Sequence, residues 1–146
     1  MKFFGMVWLT AAGAAVAAYA GNLGFFRMAG RRATATWIPL WEEACKVMAA
    51  GLLPGQPVLL VHLLFGVMEF LYDWYRIRGD GFFMGVLTAC CHGLCGGLAA
   101  LAFQYSGSLW AAYAVAALTH CAYNTAVLHL VLPALGAAPA ATPGKR

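Results

Sequence analysis

Five apolar runs, separated by helix-stopping residues, constrain this chain more than any other feature. They cover residues 3–26, 37–53, 58–75, 82–103 and 109–135. A helix needs roughly 17–25 residues to cross a bilayer, and each run meets that length, the second only just. The breaks hold Pro54-Gly55 with Pro57, Gly79-Asp80-Gly81 and Ser106-Gly107-Ser108, residues that end helices and open turns. Only 10% of the 146 residues are charged and 63% are hydrophobic, where soluble domains carry about 25% charged residues. A core of this size cannot hide that much apolar surface from water, so lipid must cover it. The expected fold is all-α, a polytopic transmembrane bundle of about five helices over residues 1–135. Residues 136–146 read as a disordered cytoplasmic tail rich in Ala and Pro.

Charge placement sets an expected orientation. With the amino terminus outside, Arg27, Arg31, Arg32, Arg76, Arg78, Lys145 and Arg146 all fall on the cytoplasmic side, Lys2 falls outside, and Lys46 lies within a span. The positive-inside rule favours this arrangement, with the carboxyl terminus in the cytoplasm. Lys2, the apolar run and Ala18-Tyr19-Ala20 before Gly21 also resemble a signal peptide with its cleavage site. Cleavage there leaves the other four helices in the same orientation. No basic run carries interleaved aromatics, which argues against nucleic acid as a partner. The odd number of cysteines (Cys45, Cys90, Cys91, Cys95 and Cys121) all sit in apolar stretches, which suits packing, with metal ligation as the alternative, better than a disulfide framework. Gly13, Ala17 and Gly21 form a small-residue stripe suited to packing against a neighbour, with oligomeric state left open.

Against this background the intramembrane charges stand out. Glu42, Glu43 and Lys46 lie in the second run, and a charge at mid-membrane costs about 2.5–3.5 kcal/mol on an insertion scale. On a helical projection the two glutamates are about 100° apart with Lys46 between them one turn deeper, so its ammonium can pair with either. Glu69 lies four residues after Phe65 in the third run, His92 falls in the fourth, and His120 precedes Asn124 by four in the fifth. That last spacing puts imidazole and amide on one helix face. Ionisable groups inside membranes are functional by default. Counting residues at about 1.5 Å each places all five elements at compatible depths, converging in the cytoplasmic half. His129 turns about 180° away from His120 and reads as interfacial. His62 shares a face with Glu69 but is expected at the outer end of its helix, outside the site.

Such a set can hydrolyse a peptide bond. A glutamate takes a proton from water, the second, held by Lys46, orients it, and His120 with Asn124 offers N–H donors of the oxyanion-hole type. His92 assists the base or holds the water. The same carboxylates and imidazoles suit a divalent metal such as zinc equally well, so the reaction is expected to need either no cofactor or one such ion.

The pattern Glu42-Glu43-Ala-Cys-Lys46, then Phe65-Gly-Val-Met-Glu69, then His92, then His120-Cys-Ala-Tyr-Asn124 resembles the PrsW family of intramembrane proteases, grouped with the CAAX prenyl proteases and the Abi proteins. The resemblance covers residues 42–124. It implies a peptidase of a bacterial or archaeal plasma membrane, acting on membrane-associated proteins or peptides. Glu42 and Glu43 would supply the base, His120 and Asn124 the oxyanion donors. The CAAX branch has histidine where this chain has Glu69, which leaves the role of Glu69 open. Two other readings compete. A scaffolding relative, like the gamma-secretase subunit of the same superfamily, would tend to lose the paired glutamates. A small ion or proton transporter should show a repeat or broken helices.

Overall fold

A computed structural model describes residues 2–77 and 79–131. The described chain is helical, with no strand among those residues: α1 Lys2–Ala29, α2 Arg31–Ala35, α3 Trp37–Gly51, α4 Val58–Arg76, α5 Gly81–Ser106 and α6 Leu109–Ala126, the last running on through a π-helical turn, Val127–Val131. The expected all-α bundle is what forms; the first four apolar runs match α1, α3, α4 and α5 within a few residues, and the fifth, 109–135, is helical through Val131, its last four positions lying outside the described residues. The expected tail at 136–146 lies outside the described residues.

The stoppers act through the backbone. Gly30 takes φ +57° between α1 and α2, and Gly55 takes φ +73° in the turn that ends α3, a region that L side chains avoid. Gly107 closes α5 in the left-handed conformation, its N–H bonded to the Phe103 carbonyl at 2.7 Å, and Ser108 then caps α6 through its hydroxyl on the Ala111 N–H. Stop and start take two residues, Gly107 and Ser108.

α1, α4 and α5 are each long and apolar enough to cross a membrane, and the chain is a membrane protein. The side chains are sorted accordingly. Leu9 is 77% exposed and Trp110 80%, while Glu43 and Lys46 are at 0%, the inverse of a soluble bundle. α3, with 15 residues, is shorter than the expected second span and carries all three of its charges inward.

Close helix approach depends on glycine. A Cβ on Gly96 would lie 2.5 Å from the His62 Cβ, one on Gly66 3.0 Å from the His92 Cβ, and one on Gly85 2.7 Å from the Phe70 ring. These three let α4 and α5 pack as a tight antiparallel pair with two histidines between them. α1 packs on α3, where Trp41 donates its indole N–H to the Ala17 carbonyl at 3.1 Å and fills the space beside Gly21. The Gly13/Ala17/Gly21 stripe is therefore occupied within the chain at two of its three positions, rather than left for a neighbour. The apolar core, including Val7, Ala11, Ala50, Val58, Ala99 and Ala112, fills the half of the bundle nearest the α3–α4 turn. A cavity of about 750 Å³ lies toward the other end, the one that carries Arg27, Arg32 and Arg76.

Candidate functional site

α3 brings Glu42, Glu43 and Lys46 to the middle of the bundle, α4 adds His62 and Glu69, α5 His92, α6 His120 and α1 the amide of Asn22. Glu43 is the hub. Its Oε1 accepts from Lys46 Nζ at 2.5 Å and from His120 Nδ1 at 2.8 Å, and its Oε2 accepts from His62 Nε2 at 2.7 Å. Three donors on one buried carboxylate compensate for much of the hydration it has lost.

Lys46 pairs with Glu43 rather than Glu42. Its ammonium also contacts His92 Nδ1 at 2.8 Å and sits 4.5 Å from the centroid of the Phe65 ring. An ammonium only donates, so His92 Nδ1 is the acceptor. Its proton is then on Nε2, which donates to Glu69 Oε2. Phe65 thereby gains a reason to stand four residues before Glu69: its ring face receives the cation while the acid holds the histidine that the cation touches.

Glu42 faces the other way. Its Oε1 accepts from Asn22 Nδ2 on α1 at 2.5 Å, and its Oε2 lies 3.8 Å from His120 Nε2, too far for a direct hydrogen bond. Because His120 Nδ1 donates to Glu43, the neutral ring presents a lone pair at Nε2 toward Glu42. Glu42, Glu69, His92, His120 and Asn124 all line one cavity of about 750 Å³, whose remaining wall is largely apolar. Glu43, Lys46 and His62 are sealed behind it. A second, smaller hollow beside the α3–α4 turn, between Gln56 and Phe103, contains no titratable side chain.

Two residues stand differently from the sequence expectation. His62 belongs to the site: it is fully buried, with Nε2 on Glu43 and Nδ1 2.8 Å from the Val58 carbonyl. Both ring nitrogens therefore lie within hydrogen-bond distance of an oxygen. The depth count misplaced it because α3 is short. Glu43 is eight residues from Gly51, about 12 Å, and His62 four residues from Val58, about 6 Å, a gap that the two side chains close. Asn124 lines the cavity, but its Nδ2 donates to the Thr34 carbonyl at 3.0 Å, leaving one amide hydrogen for a ligand. Asn22, on α1, joins the site without a signal in the sequence. A lone amide in an apolar run carries little signal, and only the packing of α1 on α3 reveals its partner.

Two carboxylate–imidazole sets have the geometry of metal ligands. The set of Glu43, His92 and His120 does not fit a divalent ion, because Lys46 already lies within 2.8 Å of two of its members and acts as the resident cation. Glu42, Glu69 and His92 offer two oxygens and one nitrogen at the cavity wall, a donor set that suits a divalent ion once the ion displaces the His92 Nε2 proton from its bond to Glu69. Among the cysteines, Cys91 and Cys95 are buried one turn apart on α5, Cys90 faces outward, and Cys45 and Cys121 are half-buried. Comparison with protein-family models, curated proteins and solved structures gives no match, so the reading of the site rests on its own geometry.

Proposed function

We propose that the cavity is the active site of a membrane-embedded peptidase, with Glu42 as the base. The observation that carries this reading is the division of the glutamate pair. Glu43 is saturated by three donors behind the wall, whereas Glu42 keeps an oxygen toward the cavity, beside an imidazole that Glu43 orients. A water within reach of both Glu42 Oε2 and His120 Nε2 would lose a proton to Glu42 as its oxygen bonds to the peptide carbonyl carbon. The proton passes to His120 Nε2, and the resulting imidazolium, backed by Glu43 at Nδ1, is a donor. It and the spare Asn124 amide hydrogen stabilise the oxyanion. Transfer of the proton from His120 to the leaving nitrogen accompanies cleavage of the C–N bond. Glu69 fixes His92, and His92 with Phe65 fixes Lys46. A divalent ion, if bound by Glu42, Glu69 and His92, would supply Lewis-acid polarisation of the water.

The apolar wall suits a membrane-associated protein or peptide, and the basic end of the bundle is the cytoplasmic end under the positive-inside rule. A proton-carrying role is the second reading. It is favoured by the hydrogen-bonded chain Glu69–His92–Lys46–Glu43–His62, which runs from the cavity to the Val58 carbonyl near the opposite end. Reconstitution with transmembrane peptide substrates separates the two. The expected result is cleavage by the parent protein, lost in Glu42→Gln and Glu43→Gln while both variants still insert and accumulate. Parent-rate cleavage by both variants, or proton flux without cleavage, would overturn the peptidase reading.

A further inference from the structure

Cys91, Cys95 and His120 form a cluster that the hydrolytic scheme uses only through His120. The two thiols stand one turn apart on the buried face of α5, with Sγ atoms 3.9 Å apart. One ligand atom from each of the three residues lies within 4.8 Å of the others, and all three residues are buried. Cys91 lines the cavity, so the cluster is reachable from its mouth.

We infer that Cys91, Cys95 and His120 form a thiophilic metal site whose occupation by zinc shuts down the cavity. The spacing fits the ion. Zinc–sulfur bonds of about 2.3 Å in a tetrahedral site separate the two sulfurs by about 3.8 Å, within about 0.1 Å of the separation found. A zinc–nitrogen bond of about 2.05 Å places the imidazole nitrogen about 3.6 Å from each sulfur, so His120 has to close by no more than about 1.2 Å. Water from the cavity that Cys91 and His120 line would complete the tetrahedron.

The donor set also selects among ions. Two thiols and an imidazole are the soft-to-borderline ligands that favour zinc over magnesium or calcium, in contrast to the oxygen-rich set of Glu42, Glu69 and His92. Binding replaces two thiol protons, released through the cavity to water, with one divalent ion. The S₂N centre is then electrically neutral, which matters in surroundings that hydrate charge poorly.

Occupation has a mechanical consequence. His120 has two ring nitrogens, Nδ1 on Glu43 and Nε2 toward Glu42. Whichever one binds metal, the ring loses either its orienting carboxylate or the lone pair it presents to the base. Only this inhibitory consequence rests on the peptidase reading; binding itself does not.

The test uses full-length protein in micelles, with zinc measured directly and cobalt(II) as a spectroscopic substitute. The expected result is one zinc per chain and a cobalt–thiolate charge-transfer band. Both should survive Glu42→Gln. Cys91→Ser and Cys95→Ser should each remove the band and weaken zinc binding by more than the roughly 10–100-fold typical of outer-shell changes. In the cleavage assay, zinc should inhibit the parent, and Cys95→Ala, at a position behind the cavity wall, should keep basal cleavage while resisting inhibition. Absence of a thiolate band, a band unchanged by Cys91→Ser, or zinc lost with Glu42→Gln instead would overturn the site. If the parent cleaves nothing, the peptidase reading fails, while the zinc and cobalt measurements still decide this one.

Discussion

Removing the Lys46 charge should cost the fold more than any surface substitution, and the structure sets the size of the effect. Lys46 and Glu43 are both fully buried with Nζ 2.5 Å from Oε1. At an effective dielectric of about 20, unit charges that close attract by roughly 6–7 kcal/mol, of which desolvation of the two ions cancels several. Lys46→Met removes one partner, for which about 3–5 kcal/mol is the usual cost. His62 and His120 still donate to Glu43, so the lower end, about 3 kcal/mol, is expected. Glu43→Gln should cost a similar amount by stranding Lys46. The double variant should cost clearly less than the two together, with a coupling of about 2 kcal/mol, where independent sites add within about 0.5 kcal/mol. Equilibrium unfolding in mixed micelles, read by the fluorescence of the five tryptophans, measures all corners of the cycle. Additivity, or a Lys46→Met variant as stable as the parent, would refute the reasoning that one ion pair anchors the site.

Gly96→Ala puts a methyl 2.5 Å from the His62 Cβ, so it should destabilise by about 1–3 kcal/mol through overpacking and lower cleavage with it; unfolding and activity measured on the same preparation check this. His62→Ala should cost about 1.5–3 kcal/mol as a lost donor to a carboxylate, and Gln at that position should recover part of it by donating an amide N–H; unchanged stability in His62→Ala would return the histidine to a packing role. Asn22→Ala releases Glu42 Oε1 and should reduce kcat about tenfold or more, since about 1.4 kcal/mol of lost alignment is a factor of ten, with the unfolding midpoint moving less than in Lys46→Met.

Much of this fold is legible from the chain, because apolar runs and glycine–proline breaks are local signals. Gly55, Gly107 and Ser108 end and start helices where the composition changes. Glu42, Glu43, Lys46, Glu69, His92 and His120 were legible for a different reason: ionisable groups cost so much in lipid that each one draws notice. What the sequence withheld depends on tertiary contact. The choice of Lys46 between two glutamates is settled by His92 and Phe65 arriving from other helices. The place of His62 follows from the shortness of α3 and from the hollow at Gly96, neither of which shows in periodicity. Asn22 is polar but unremarkable until α1 lies against α3. Asn124 shares a helix face with His120 as the spacing predicts, yet the Thr34 carbonyl on α2 takes one of its hydrogens.

The central claim is that Glu42 activates water at a peptide bond inside this cavity. Cleavage of a reconstituted transmembrane peptide in ¹⁸O-labelled water, followed by mass spectrometry of the products, tests it directly. The account predicts one ¹⁸O atom in the newly formed carboxyl terminus with the parent protein, and no new terminus with Glu42→Gln, even though that variant inserts and unfolds like the parent. Equal labelling by the parent and Glu42→Gln, or an intact peptide in both, would contradict it.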